Sequence, residues 1–164
     1  SFAVKWRSHR KTERSMRHQV NAALSIMNEQ RFIDEIKKHF LMSEKDLRHV
    51  HKSSEGEINP HIIKLNSCAV GCLSLEWNRG FISAWVHITY LYIYESNCGI
   101  GSEILKTICE IADSLKISLF LDVVPQLPDD NSIPEWKLKV WYKSFGFVAS
   151  EIQGSSMMER QINA

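Results

Sequence analysis

A mixed α/β domain built on one mostly antiparallel sheet, flanked by helices, is the fold class that the sequence predicts. Three observations predict it. Apolar residues follow helical spacing early in the chain, the pattern changes to strand-like runs from about residue 60, and helix–strand–helix order follows residue 100. The chain has 164 residues, 44% hydrophobic and 24% charged, which suits one globular domain and argues against disorder. It contains no apolar run of about 18 residues, so a membrane-spanning helix is not expected.

The elements follow in order. Met16, Val20, Ala23, Leu24 and Met27 recur at helical spacing, as do Phe32, Ile33, Ile36 and Phe40, which predicts one or two helices over 14–41. The polar stretch 43–57 reads as loop or a short helix. Residues 61–66, 69–77 and 81–94 are rich in Ile, Val, Leu, Tyr and Trp, with turn signals at Asn66-Ser67 and Asn78-Arg79-Gly80 between them. They read as a three-stranded antiparallel meander. Ile104, Leu105, Ile108, Ile111, Ala112 and Leu115 then form one apolar stripe, predicting a helix over 102–115. Residues 117–124 are nearly all apolar and read as a buried strand. Ser132 and Glu135 have capping-box spacing, Pro134 suits a first turn, and Gly146 suits the end of that helix. Residues 147–152 and 156–162 are closing strands.

Charge is unevenly distributed. Lys5, Arg7, Arg10, Lys11, Arg14 and Arg17 stand against Glu13 in the first 20 residues, while the rest carries 14 basic and 18 acidic residues. This basic arm is either a solvated helix face or a handle for an anionic partner such as nucleic acid. It has no apolar segment of the signal-peptide kind. The four cysteines (Cys68, Cys72, Cys98, Cys109) lack zinc-finger spacing and are expected to be free thiols in a reducing, cytoplasmic setting, with no metal.

Two segments carry chemistry. In Tyr94-Glu95-Ser96-Asn97-Cys98-Gly99-Ile100-Gly101-Ser102 a strand ends and an amphipathic helix begins. Glycines bring backbone N–H groups close to a ligand, and the helix start adds unpaired donors and positive dipole, which together suit phosphate. The segment is neither a P-loop nor the dinucleotide fingerprint. In the second segment, Val140-Trp141-Tyr142-Lys143-Ser144-Phe145-Gly146-Phe147, Tyr142 shares a stripe with Leu138 and Phe145. It is either core filling or a proton donor.

Taken together, Ser96–Gly101 and Tyr142–Phe147 resemble the pyrophosphate loop and the Tyr-x-x-x-Gly-Phe pattern of the GNAT superfamily of acetyl-CoA-dependent N-acetyltransferases. The resemblance covers about residues 60–162 and includes the closing strand at Met157-Met158-Glu159-Arg160. Ser96 stands where the family has Arg or Gln, so that side-chain contact has to come from elsewhere.

The resemblance implies a single domain over 1–164. Its parts would be the basic arm (1–17), a helical acceptor-side region (14–57) and a cofactor-binding core (60–162) whose fourth and fifth strands splay apart. It implies acetyl-CoA as cosubstrate and an amine as acceptor, in a monomer or homodimer. Leu91, Tyr92 and Ile93 would contact the pantetheine arm. Backbone amides of Asn97, Cys98, Gly99, Ile100, Gly101 and Ser102 would hold the pyrophosphate, and Tyr142 would protonate the thiolate. His87 falls where some family members carry a Glu base, and Glu76 is the second candidate. A shifted register would put Trp85, which is no base, in place of His87. Three functions compete: an active N-acetyltransferase, a GNAT-like acyl-CoA-binding module without chemistry, and a nucleic-acid-directed protein using the basic arm.

Overall fold

The structure is a computed structural model, and it describes residues 2–43, 57–65, 68–79, 84–95, 98–123, 133–151 and 156–162. Helix α1 (Phe2–His39) leads into β1 (Leu41–Ser43), and β2 (Glu57–Leu65), β3 (Cys68–Arg79) and β4 (Ala84–Ile93) follow. After α2 (Ile100–Leu115) come β5 (Ser118–Asp122), α3 (Glu135–Lys143), β6 (Val148–Ala149) and β7 (Met157–Arg160). The described strands make one sheet in the order β1-β2-β3-β4-β5-β7-β6. Every neighbouring pair is antiparallel except β4 and β5, which run parallel across the α2 connection. The fold is thus the mixed, mostly antiparallel sheet with flanking helices expected above.

One helix spans the whole early segment. Among the side chains described, packing falls to its C-terminal part: Phe32, Ile36 and, just past the helix, Phe40 are buried, and Phe32 meets the Trp77 ring of β3 at 6.2 Å between centroids. The earlier stripe is helical but largely exposed, with Met16, Val20, Leu24 and Met27 between 51% and 61% accessible. Helical spacing there specifies the helix without specifying a neighbour for it.

α2 buries the stripe of Ile104, Leu105, Ile108, Ile111, Ala112 and Leu115 against the core. At about 25 cal/mol per Å² of apolar area removed from water, this face supplies much of what holds α2 to the sheet. The helix ends at Lys116 in left-handed conformation (φ 57°), whose N–H turns back to the carbonyls of Ala112 and Asp113. α3 starts at Glu135 with Pro134 as its N-cap residue and no side-chain cap. Glu135 is therefore the first helical residue, not the third as capping-box spacing requires, and Ser132 lies outside the described residues.

Arg160 of β7 ties the far end together. Its guanidinium donates to both Asp113 oxygens at 2.6 and 2.7 Å, and its Nε donates to the Phe145 carbonyl at 2.8 Å. That fork links β7 to the end of α2 and to the turn after α3. The hydrogen bonds from Arg160 hold the Asp113 carboxyl below the usual carboxylate range. Arg160→Met is expected to cost about 2–3 kcal/mol by urea denaturation. A depressed carboxylate contributes stability above its unfolded value and loses it as pH falls through the folded one. The gap between Arg160→Met and the parent chain should therefore narrow as pH drops below about 4.

Candidate active site

The site forms where β4 and β5 part. Their parallel pairing runs from Trp85↔Ser118 to Ile88↔Leu121 and goes no further. Beyond it, Tyr90–Ile93 pair only with β3 among the described residues. A bulge marks the fork: Ser74 pairs with Tyr90 and Leu75 with Ile88, leaving Thr89 as the extra residue of β4. The bulge keeps the core face continuous. Val86 and Ile88 are buried before it, and Leu91 and Ile93 pack on the same core after it. Val123, just past β5, donates its N–H to the Ser156 carbonyl at 3.0 Å, away from β4. The β5-side edge of Thr89–Ile93 is thus backbone without a described strand partner, and such an edge can accept an extended ligand as an added strand.

That edge runs into the start of α2. Gly99 is the N-cap residue, at φ 80° and ψ −10°, a left-handed conformation that glycine adopts without a Cβ penalty. The first intrahelical bond is Glu103 N–H to the Gly99 carbonyl at 3.1 Å. The amides of Ile100, Gly101 and Ser102 precede it and belong to the orphan donors of a helix start. A Cβ on Gly101 would lie 3.4 Å from Ile93 and 3.7 Å from the Trp141 ring. The Trp141 indole donates to Ser102 Oγ at 3.0 Å and fixes α3 beside this turn. The Cys98 thiol donates to the Glu95 carbonyl at 2.9 Å. Ser96 and Asn97 lie outside the described residues. Among the described residues, then, the β4 edge runs into backbone amides, an arrangement that can take an extended ligand with an anionic end.

Tyr142 sits on α3 with its ring 4.8 Å from Trp141 and 5.9 Å from Phe147. Burial pushes its phenol up to about 12. The group keeps its proton at any ordinary working pH, as a donor must.

On the sheet face opposite the core, His87, Glu76 and Phe120 are cross-strand neighbours on β4, β3 and β5. His87 Nε2 lies 3.1 Å from Asp122 Oδ2, and Nδ1 lies 3.9 Å from Glu76 Oε2. The two sequence candidates for a base are therefore adjacent, one residue before the last β4–β5 pair at Ile88. Trp85 is two residues earlier on β4, its ring 4.8 Å from Phe120. Asp122 is a third group at this site, and the sequence carries little that marks it. The signal available was a single charge in the 117–124 apolar run, with the same parity as Phe120.

No protein-family model matches the chain, and no curated protein sequence does. Solved structures with a similar fold include Arabidopsis thaliana Naa50 in complex with the bisubstrate analogue CoA-Ac-MVNAL. It is 17% identical, with 63% of this chain and 72% of that chain covered, at a TM-score of 0.47. The PaiA N-acetyltransferase from Thermoplasma acidophilum in complex with coenzyme A is 19% identical, with 65% and 61% covered, at a TM-score of 0.45. Tetrahymena Gcn5 is 14% identical, with 67% and 71% covered, at a TM-score of 0.46. At these identities the likeness is one of fold.

Among the described residues no group of three or more His, Cys, Asp and Glu side chains is arranged to hold a metal ion. No helix among them is long and apolar enough to cross a membrane.

Proposed function

We propose that the chain is an N-acetyltransferase that moves an acetyl group from acetyl-CoA to an amine by direct attack. The observation that carries this reading is the fork itself. The free β4 edge leads to the amides at the start of α2 on one side, and His87 with its carboxylate neighbours stands at the fork on the other. When bound, acetyl-CoA supplies a thioester whose carbonyl carbon accepts the amine and whose sulfur leaves as thiolate.

The chain's own groups would do the rest. Leu91, Tyr92 and Ile93 offer backbone to the pantetheine arm, and the amides of 98–102 offer donors to the pyrophosphate. His87 takes the proton that an ammonium must lose before it can attack, with Glu76 beside it. Tyr142 gives its proton to the departing sulfur. The four cysteines are free, and we place the reaction in the cytoplasm, a compartment that keeps thiols reduced. A protein amine, a small-molecule amine and an RNA-linked amine all suit this chemistry, and the basic face of α1 with exposed Arg14 and Arg17 suits the last of them.

Calorimetry with acetyl-CoA, followed by thiol release over a panel of primary amines and a mass measurement for self-acetylation, tests the reading. Binding together with amine-dependent thiol release is the expected result. Binding without release from any amine favours an acyl-CoA-binding module, and absence of binding overturns both.

A further inference from the structure

The geometry points to Asp122 as a positioning residue for this reaction: its carboxylate fixes the His87 ring so that Nδ1, not Nε2, takes the proton of a primary ammonium seated between His87 and Glu76. The inference rests on the reading of His87 as the base of an acetyl transfer.

The placement comes from sheet register. Side chains alternate across a strand, so Phe120 and Asp122 share the β5 face that meets His87, while Leu119 and Leu121 are buried in the core. Among the described residues the titratable groups facing the His87 ring are Glu76 from β3 and Asp122 from β5. Trp85, on its own strand, stands with its ring 6.4 Å from the imidazole. The His87 side chain is 18% accessible, and those of Glu76 and Asp122 are 30% and 42%. The pair is held by the sheet yet open on one side.

The tautomer follows from donor and acceptor inventory. A carboxylate only accepts, and a neutral imidazole carries one N–H and one lone pair. With Asp122 Oδ2 at 3.1 Å from Nε2, the proton sits on Nε2 and the lone pair is left on Nδ1. Nδ1 then faces the Glu76 carboxylate across 3.9 Å. Two acceptors at that separation cannot bond each other. A primary ammonium has N–H groups enough for both, which a secondary amide or a hydroxyl lacks. The seat thus favours an amine with two or more N–H groups over donors with one, and the Glu76 carboxylate favours its charged form.

The proton balance closes. The ammonium gives one proton to Nδ1, and its freed lone pair bonds to the acetyl carbonyl carbon. The carbon–sulfur bond breaks with its electron pair on sulfur, which takes the Tyr142 proton. The nitrogen loses its second proton to the Tyr142 oxygen as the amide forms, and His87 returns the first to solvent. The net change is one ammonium and one thioester to one amide, one thiol and one solvent proton.

Asp122→Asn and Asp122→Glu in the full chain test the inference, with histidine ring ¹⁵N spectra and kinetics measured on both. The Asn side chain can donate to Nε2 and favour the opposite tautomer. The expected result is an Nε2–H signal for His87 in the parent, its loss in Asp122→Asn, and kcat down about 100-fold with KM for acetyl-CoA unchanged. Asp122→Glu should recover the tautomer and most of the rate. An unchanged His87 tautomer, or an unchanged kcat in a folded Asp122→Asn, overturns the positioning role. Full turnover in His87→Gln overturns the base reading instead. A parent chain that turns over no amine overturns the acetyl transfer itself and the inference with it, while the ring spectrum still reports whether Asp122 sets the tautomer.

Discussion

Tyr142→Phe is expected to lower kcat for amine acetylation by about 100-fold while leaving acetyl-CoA affinity within about twofold. The substitution removes one oxygen from a ring wedged between Trp141 and Phe147, and it leaves those ring contacts in place. The fold should therefore change by less than about 1 kcal/mol. The Tyr142 hydroxyl has no hydrogen-bond partner among the described residues, so its proton is available to a bound sulfur. Burial holds that proton, with the phenol pushed up to about 12, against about 8.5 for an ordinary thiol. The phenol is thus the weaker acid. In the proposed reaction it would hydrogen-bond the developing thiolate and pass its proton on only as the amide-forming nitrogen supplies another, which would make its contact strongest in the transition state. Loss of such an interaction shows in kcat and not in binding. Steady-state thiol release checks the rate, and calorimetry with CoA checks the affinity. An unchanged kcat would leave Tyr142 as packing between its two aromatic neighbours.

The elements whose register is local were legible from the sequence, and those set by distant pairing were not. The meander of β2, β3 and β4 follows from alternating apolar residues and short connections. The α2 stripe is buried at every position the helical period marks. On α1 the same kind of period behaves differently. Phe32, Ile36 and Phe40 are core, while Met16, Val20, Leu24 and Met27 form helix without burial. Periodicity reports which residues share a face and leaves open what that face meets. α2 begins at Ile100 rather than 102 because the left-handed Gly99 already turns the chain. At the site, His87 and Glu76 are neighbours through an antiparallel pair close in sequence. Asp122 reaches His87 only through the parallel β4–β5 register, closed across the whole of α2. No local pattern encodes that register, so a lone acid ending an apolar strand gave no sign of its partner.

Gly71→Ala is expected to cost about 3 kcal/mol or more, read as a lower urea midpoint at unchanged m-value. Gly71 is buried in β3 opposite Ile93 of β4. A Cβ there would lie 2.1 Å from the Tyr92 carbonyl oxygen, and 3.1 Å from both Cα and Cδ1 of Ile93. A flexible side-chain tip can swing aside, but a backbone carbonyl in a ladder moves only by breaking pairing. Contact needs about 3.5 Å or more between heavy atoms, so β3 and β4 must separate locally by about 1.4 Å. The displaced residues are Tyr92 and Ile93, whose far edge is the one proposed to take acetyl-CoA. Ile93 also lies just where a Cβ on Gly101 would touch, so its movement reaches the start of α2. The same substitution should therefore weaken acetyl-CoA binding about tenfold even at a temperature where the variant remains folded. Stability within about 1 kcal/mol of the parent would show that Gly71 does not meet β4 at Ile93. A large loss of stability with unchanged binding would separate the packing of β3 from the cofactor edge of β4.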